Sequence, residues 1–209
     1  MYTKQAIFAL FIIFASRALY AQENSSLSKG NTAFFDDFSK NRNGWPEQSG
    51  ENYNFSFKGR KYDMDSSREG MITPVLYTKF DHDKDYTITC ILTHISGLSE
   101  SGYGLTFSYK NNSTSYHFEI VTKGYYRVTK VQDNMETQVI PWAESLNIEK
   151  ENGKPNKLKI CKKGKTCELY INDTMVNSFN DFDNEGDYTG FIVENKHHIE
   201  VTLLSIQYN

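Results

Sequence analysis

Cysteine and proline are scarce. Cys90, Cys161 and Cys167 are the only cysteines in 209 residues, and Pro46, Pro74, Pro141 and Pro155 the only prolines. So few cysteines exclude a small scaffold held by disulfides. Basic charge is not in excess either: the formal net charge is −3. That removes the electrostatic reason to expect nucleic acid or an anionic membrane as partner. Beyond the first fifteen residues no apolar run is long enough to span a bilayer. The five histidines, at 82, 94, 117, 197 and 198, form no His-Glu-x-x-His and no Cys/His zinc spacing. There is no Gly-x-Ser-x-Gly and no glycine-rich phosphate loop. These absences remove a zincin motif, a Gly-x-Ser-x-Gly nucleophile and a phosphate loop before any positive signal is read.

The amino terminus is the first positive signal. Lys4 precedes an apolar run from Ala6 to Ala15, Ala21 precedes Gln22, and the chain is polar from Glu23 to Gly30. This layout predicts a secretory signal peptide over 1–21. The run is about half of a membrane span. Arg17 and Leu19 depart from the usual cleavage pattern. Residues 22–31 read as a flexible lead, and 32–209 suits one domain with a sizeable core. The expected destination is the periplasm or the cell exterior, with no membrane span after cleavage.

The dominant period is two. Tyr103, Leu105, Phe107 and Tyr109 alternate with Gly104, Thr106 and Ser108, and Tyr116, Phe118 and Ile120 with His117 and Glu119. Leu158 and Ile160, Leu169 and Ile171, and Ile199, Val201 and Leu203 repeat the pattern. Short alternating runs rich in Val, Ile, Thr, Tyr and Phe predict half-buried strands. Asp133-Asn134, Asn152-Gly153, Lys163-Gly164 and Asn172-Asp173 supply turn residues between them. The pattern predicts an all-β, two-sheet antiparallel sandwich. Trp142–Ile148 could add one helical turn, His197-His198 reads as an exposed turn, and His117, facing away from Tyr116 and Phe118, reads as a solvated strand position. Cys90 shares a face with Tyr86, Ile88 and Leu92, as a buried thiol. For Cys161 and Cys167 two arguments oppose. An exporting compartment favours a bridge, but alternation puts the two on opposite strand faces.

Several stretches resemble bacterial secreted domains of the concanavalin A-like lectin/glucanase sandwich, related to laminin G-like and 3-keto-disaccharide hydrolase-like domains. They are Phe34–Ser39 with Asn43–Trp45, Ser101–Phe107, Tyr116–Ile120, Gly124–Val128, Leu158–Ile160, Leu169–Asn172, Gly190–Val193 and Ile199–Val201. The resemblance implies a jelly roll with a curved face on which some relatives bind glycans and others hydrolyse them. Fold alone does not choose between these. Glucanases of this fold carry Glu-x-Asp-x-x-Glu on one strand, and that pattern is absent. Glu119 stands alone on its strand, and Glu194 and Glu200 are separated by an expected turn.

Asp181, Asp183, Glu185, Gly186 and Asp187 match the opening positions of an EF-hand loop, which makes them the candidate Ca²⁺ ligands. Position twelve, where a bidentate Glu belongs, is Ile192. Asp81–Asp85 is a second acidic loop without the glycine, and Asp36-Asp37 read as strand-edge residues. Aromatic residues make up 14% of the chain, enough to supply rings beyond the core. Tyr and Trp join an apolar face to a polar edge, so rings near turns could stack on sugars. Trp45 and Tyr103 lie near such turns; Trp45 and Trp142 could equally plug the sandwich ends. The expected ligand contacts are Tyr125, Tyr126, Arg127, Trp142 and Glu119. The first expectation is a non-catalytic module for a glycan. A glycoside hydrolase using Glu119, Asp181 or Glu194, or a domain for a protein ligand, are the alternatives.

Overall fold

An alternating strand buries its apolar face only when a second layer covers it, and two sheets cover each other here. The computed structural model describes residues 31–78 and 80–209. The expected signal peptide, and all but the last residue of the lead, lie outside the described residues. Among these, sixteen strands and no helix occur. A nine-stranded sheet runs β14 (Thr174–Phe179), β13 (Thr166–Ile171), β12 (Pro155–Lys163), β7 (Tyr86–Gly97), β16 (His197–Tyr208), β4 (Tyr62–Ser66), β3 (Tyr53–Phe57) and β2 (Gln48–Gly50), with β1 (Thr32–Asp36) also on β16. A seven-stranded sheet runs β11 (Met135–Glu144), β10 (Tyr125–Gln132), β9 (Thr114–Val121), β8 (Tyr103–Asn111), β15 (Tyr188–Glu194) and β5 (Met71–Ile72), with β6 (Val75–Tyr77) on β15. This is the antiparallel jelly-roll sandwich that the alternation predicts.

The inward positions of both sheets form one core. Leu105, Phe118, Val128 and Phe191 of the seven-stranded sheet join Ile88, Leu92, Leu158, Ile160, Leu169 and Val201 of the other. An aromatic plug closes one end. The Trp45 ring lies 5.3 Å from Phe191 and 5.6 Å from both Phe38 and Tyr62. Burying an indole leaves its N–H in need of an acceptor, and Trp45 Nε1 donates to Asp36 Oδ2 at 2.9 Å. The same carboxyl accepts from Asn43 Nδ2 at 2.7 Å and, through its other oxygen, from Phe38 N at 2.8 Å. Trp45 is thus structural, and Asp36, the last residue of β1, is its buried anchor.

Tight turns set the register. Asp133 and Asn134 (φ 53° and 62°) close the β10–β11 hairpin, and Asn172 and Asp173 (φ 49° and 66°) close β13–β14. Two consecutive left-handed residues give the primed turn that matches strand twist, and Asn and Asp tolerate that region better than most residues.

Three local expectations change. Trp142, Ala143 and Glu144 complete β11 instead of starting a helical turn. Pro141 sits in that strand because β11 is a sheet edge, where a missing N–H breaks no ladder. The turn before β16 is Asn195-Lys196 (φ 30° and 45°), so His197 and His198 are strand residues. His197 is buried with Nε2 2.8 Å from the Leu98 carbonyl, and His198 reaches Asp63 at 3.1 Å. Cys161 pairs across the ladder with Glu168, and Cys167 with Lys162. The one-residue offset points the thiols to opposite faces, and all three cysteines are free and buried.

Candidate functional site

Polar chemistry gathers on the face of the seven-stranded sheet that points away from the core. Phe118 and Ile120 face inward, so His117 and Glu119 face out. Tyr126 and Val128 face inward, so Tyr125, Arg127 and Thr129 face out. Arg127 is directly opposite Glu119, Glu119 opposite Gly104, and Gly104 opposite Ile192. Glu194 lies two residues beyond Ile192, on the same face.

Arg127 is the hub. Its Nε donates to Glu119 Oε1 at 3.0 Å and its Nη2 to Glu119 Oε2 at 3.1 Å. Nη2 also donates to Glu194 Oε1 at 2.9 Å, and Nη1 lies 3.7 Å from Glu136 Oε1. The guanidinium stacks 4.8 Å from the centre of the Trp142 ring, a cation–π contact. Two parallel N–H···O bonds fix orientation more tightly than one point charge could.

Glycine makes the convergence possible. Glu194 Oε2 accepts from the Gly102 N–H at 2.9 Å. A Cβ on Gly102 would run into the Glu119 carboxylate and stand 3.0 Å from Glu194 Oε2. Any larger residue would push the two acids apart. Glu119 is fully buried, and burial pushes its pKa up to about 7; Glu194 adds to the rise and Arg127 opposes it. His117 occupies the next row, with Nδ1 3.0 Å from Thr106 Oγ1 and Nε2 3.0 Å from Ser115 Oγ. Burial, helped by Arg127, lowers its pKa to about 4. It is a buried, doubly bonded group, where the sequence suggested a solvated one.

The exposed part of the site is aromatic and anionic. Trp142 is 37% exposed and Tyr125 40%. Glu144 stands opposite Tyr125 in the ladder and is exposed, as is Glu136. Arg127, expected to donate to a ligand, directs its guanidinium at three protein carboxylates instead. Tyr126 is a correction. One residue out of phase with Tyr125 and Arg127, it faces the core, where it is buried and its hydroxyl donates to the Val176 carbonyl at 3.1 Å. Tyr103 is likewise a core residue.

The acidic loop does not assemble a chelate. Asp183 lies 3.5 Å from Lys130, Glu185 3.9 Å from Lys110, and Asp187 2.7 Å from His82. Asp181 is exposed at φ 58°. Gly186 packs on the backbone of Tyr109 and Lys110, where a Cβ would collide. That close approach, not the bend of a calcium loop, accounts for the glycine. Among the described residues no group of three or more His, Cys, Asp or Glu is placed to hold a metal ion. In the second acidic loop Asp81 Oδ1 accepts from Asp83 N at 3.1 Å and Asp85 Oδ1 from Gly164 N at 2.7 Å.

Two-sheet topology and this packing can be set beside solved structures. A carbohydrate-binding module, CBM66, from Bacillus subtilis aligns with a TM-score of 0.58 at 15% identity, over 78% of this chain and 95% of that one. A protein of unknown function with a galectin-like fold, also from Bacillus subtilis, gives 0.64 at 10% identity, over 87% and 97%. The chain has a lectin-like sandwich fold. Glycoside hydrolase family 43 protein BlXynB from Bacillus licheniformis aligns at 0.60 and 12% identity; the chain covers 87% of itself but only 40% of that protein. No family model and no curated protein matches the sequence. At these identities the shared property is the sandwich, not the narrower laminin G-like or 3-keto-disaccharide hydrolase-like type.

Within this lectin-like sandwich, sequence reasoning missed the meeting of Glu194 with Glu119. It depends on β15 pairing with β8, more than eighty residues away in the chain, which no local pattern encodes. Glu136 was within reach: the two-residue turn at Asp133-Asn134 puts it opposite Val131, on the face of Arg127.

Proposed function

We propose that this protein is an exported, non-catalytic carbohydrate-binding module, and that its ligand contacts Trp142 and Tyr125 with Glu136, Glu144 and Glu194 at their edges. One observation carries the reading: the Trp142 ring is about a third exposed while it packs on a guanidinium that three carboxylates hold still. A pre-oriented ring loses little freedom on binding, and its exposed part offers the C–H faces of a pyranose an apolar contact. The flanking carboxylates accept hydrogen bonds from sugar hydroxyls. The fold shared with a carbohydrate-binding module supports this reading, and the signal-like amino terminus supports export.

The glycosidase alternative gains one observation, the convergence of Glu119 and Glu194, and meets a stronger objection. Retaining hydrolysis needs two carboxyls about 5–5.5 Å apart flanking a sugar. Here one guanidinium nitrogen bridges them, and Glu119 is sealed from solvent. Arg127 fills the space that the scissile bond requires.

A glycan array probed with the protein and with Trp142→Ala tests the proposal. Binding to a defined glycan set that the variant loses is expected. An array without hits, or hits that the variant keeps, contradicts it. Chromogenic glycosides should show no turnover.

A further inference from the structure

A second aromatic group lies on the same outward sheet face, away from Arg127. Tyr188 of β15 stands opposite Tyr77 of β6 on one side and Tyr109 of β8 on the other. The Tyr77 and Tyr188 rings are 5.5 Å apart and tilted by 56°; Tyr109 and Tyr188 are 6.2 Å apart at 74°. Tyr77 is 51% exposed and Tyr188 39%. Phe191 and Val193 fill the core, so Tyr188 shares its outward face with Ile192 and Glu194. Tyr109 donates its hydroxyl to Asn112 Oδ1 at 2.6 Å. The hydroxyls of Tyr77 and Tyr188 make no hydrogen bond among the described residues.

We infer that Tyr77, Tyr188 and Tyr109 form a second contact for a neutral polysaccharide, so that the ligand is a polymer lying across the sheet rather than a single sugar. This inference rests on the carbohydrate reading above. Three features select the occupant. Rings tilted to one another form a trough that receives the apolar face of a pyranose, not a flat platform. The free phenol hydroxyls border that trough and meet sugar hydroxyls. The ionisable groups beside it already have partners: Asp187, next to Tyr188, contacts the His82 ring, and Lys110, next to Tyr109, is closest to Glu185. The trough itself is lined by uncharged rings, which suits a neutral ligand.

Geometry sets the length. Arg127, Glu119, Gly104 and Ile192 are in one row across the strands, and Tyr188 is four residues from Ile192 along β15. Three strand spacings separate β10 from β15. By backbone position Arg127, against which the Trp142 ring packs, and Tyr188 are therefore roughly 14 Å apart across the strands and about 13 Å apart along them. Only a chain of several sugars spans that diagonal. Occupying both contacts turns the second binding step into an intramolecular one, which multiplies affinity without a stronger contact at either site.

Native gels cast with soluble arabinoxylan, mixed-linkage β-glucan, galactomannan, levan or starch test this on the whole protein. At least one polysaccharide should retard the wild type. Tyr77→Ala/Tyr188→Ala should be retarded about a hundredfold more weakly, the lower end of what loss of avidity gives, and Trp142→Ala should weaken as well. Tyr77→Phe/Tyr188→Phe should keep most of the retardation, because the rings remain. Tyr77 is half exposed and Tyr188 lies outside the core cluster, so the alanine variants should fold and melt close to the wild type. Tyr77→Ala alone, at the most exposed ring, serves if the double variant does not fold. Retardation of the alanine variants equal to wild type overturns the second contact and leaves the first intact. No retardation of the wild type in any gel overturns both. Loss in the tyrosine variant with an unaffected Trp142→Ala supports the tyrosine contact and removes Trp142 from the site.

Discussion

Arg127 and Glu119 face each other across the β9–β10 ladder and close two parallel hydrogen bonds, at 3.0 and 3.1 Å, over a carboxylate with no solvent exposure. This pair orders the outward face. It holds the guanidinium under Trp142 and draws in Glu194, whose other oxygen is tied to the Gly102 N–H.

Removing one partner is costly because the other stays buried. Above pH 7, where Glu119 beside Arg127 is ionised, Arg127→Ala should destabilise the fold by about 3–5 kcal/mol, the range for stranding a buried charge. Adding Glu119→Gln should recover part of that loss, since the amide needs no counter-charge. Urea denaturation of the single and double variants checks this. A double variant no more stable than Arg127→Ala contradicts it.

The pair also sets a pH dependence. Folded Glu119 keeps its proton up to a pH of about 7, against 4.5 for the free group. Between those values the folded state binds more protons, so this group's stabilisation falls as pH rises. His117 acts the other way: its folded pKa is about 4 against 6.5, so its stabilisation grows as pH rises through that window. Each contribution is on the order of 3 kcal/mol, and they largely cancel. In Glu119→Gln the histidine contribution stands alone. Stability should then climb more steeply between pH 4.5 and 6.5 than in the wild type. Parallel stability profiles would refute this.

Thiol chemistry follows from the β12–β13 register. Cys161 and Cys167 face opposite sides of the sheet and Cys90 is in the core. Denatured, unreduced protein should titrate three thiols with an aromatic disulfide reagent. A count of one would mean a bridge and a register different from this one.

For the acidic loop, Asp183 is directed at Lys130, Glu185 at Lys110 and Asp187 at the His82 ring. Melting curves in excess calcium and in EDTA should superimpose. A rise of several degrees with calcium would show that the loop rearranges to bind it.

What could be read from the sequence was local. Alternation from Tyr103 to Phe107 and from Tyr116 to Ile120 gave the strands and their faces, and Asp133-Asn134 and Asn172-Asp173 gave two hairpin turns. Tyr125, Arg127 and Trp142 stand out in the sequence as rings and a cation, and the structure packs Trp142 against Arg127. Alternation also carried the information that Tyr126 turns inward, and grouping it with its neighbours overrode that rule. His117 looked solvated because a polar residue on an outward face usually is. Its ring is instead held by the hydroxyls of Thr106 on β8 and Ser115 on its own strand, and the Thr106 contact appears only in the β8–β9 register. The tyrosine trough joins β6, β8 and β15, and the Glu119–Glu194 meeting joins β9 and β15. Both depend on long-range pairing, so neither left a mark in any window of sequence.

Trp142 is the exposed indole and Trp45 the buried one, so intrinsic fluorescence isolates the proposed site. A polysaccharide that retards the protein should produce a saturable change in tryptophan emission, and Trp142→Phe should abolish the change while Trp45 emission stays constant. An emission change that persists in Trp142→Phe, or saturable binding that leaves wild-type emission untouched, would contradict recognition through this ring.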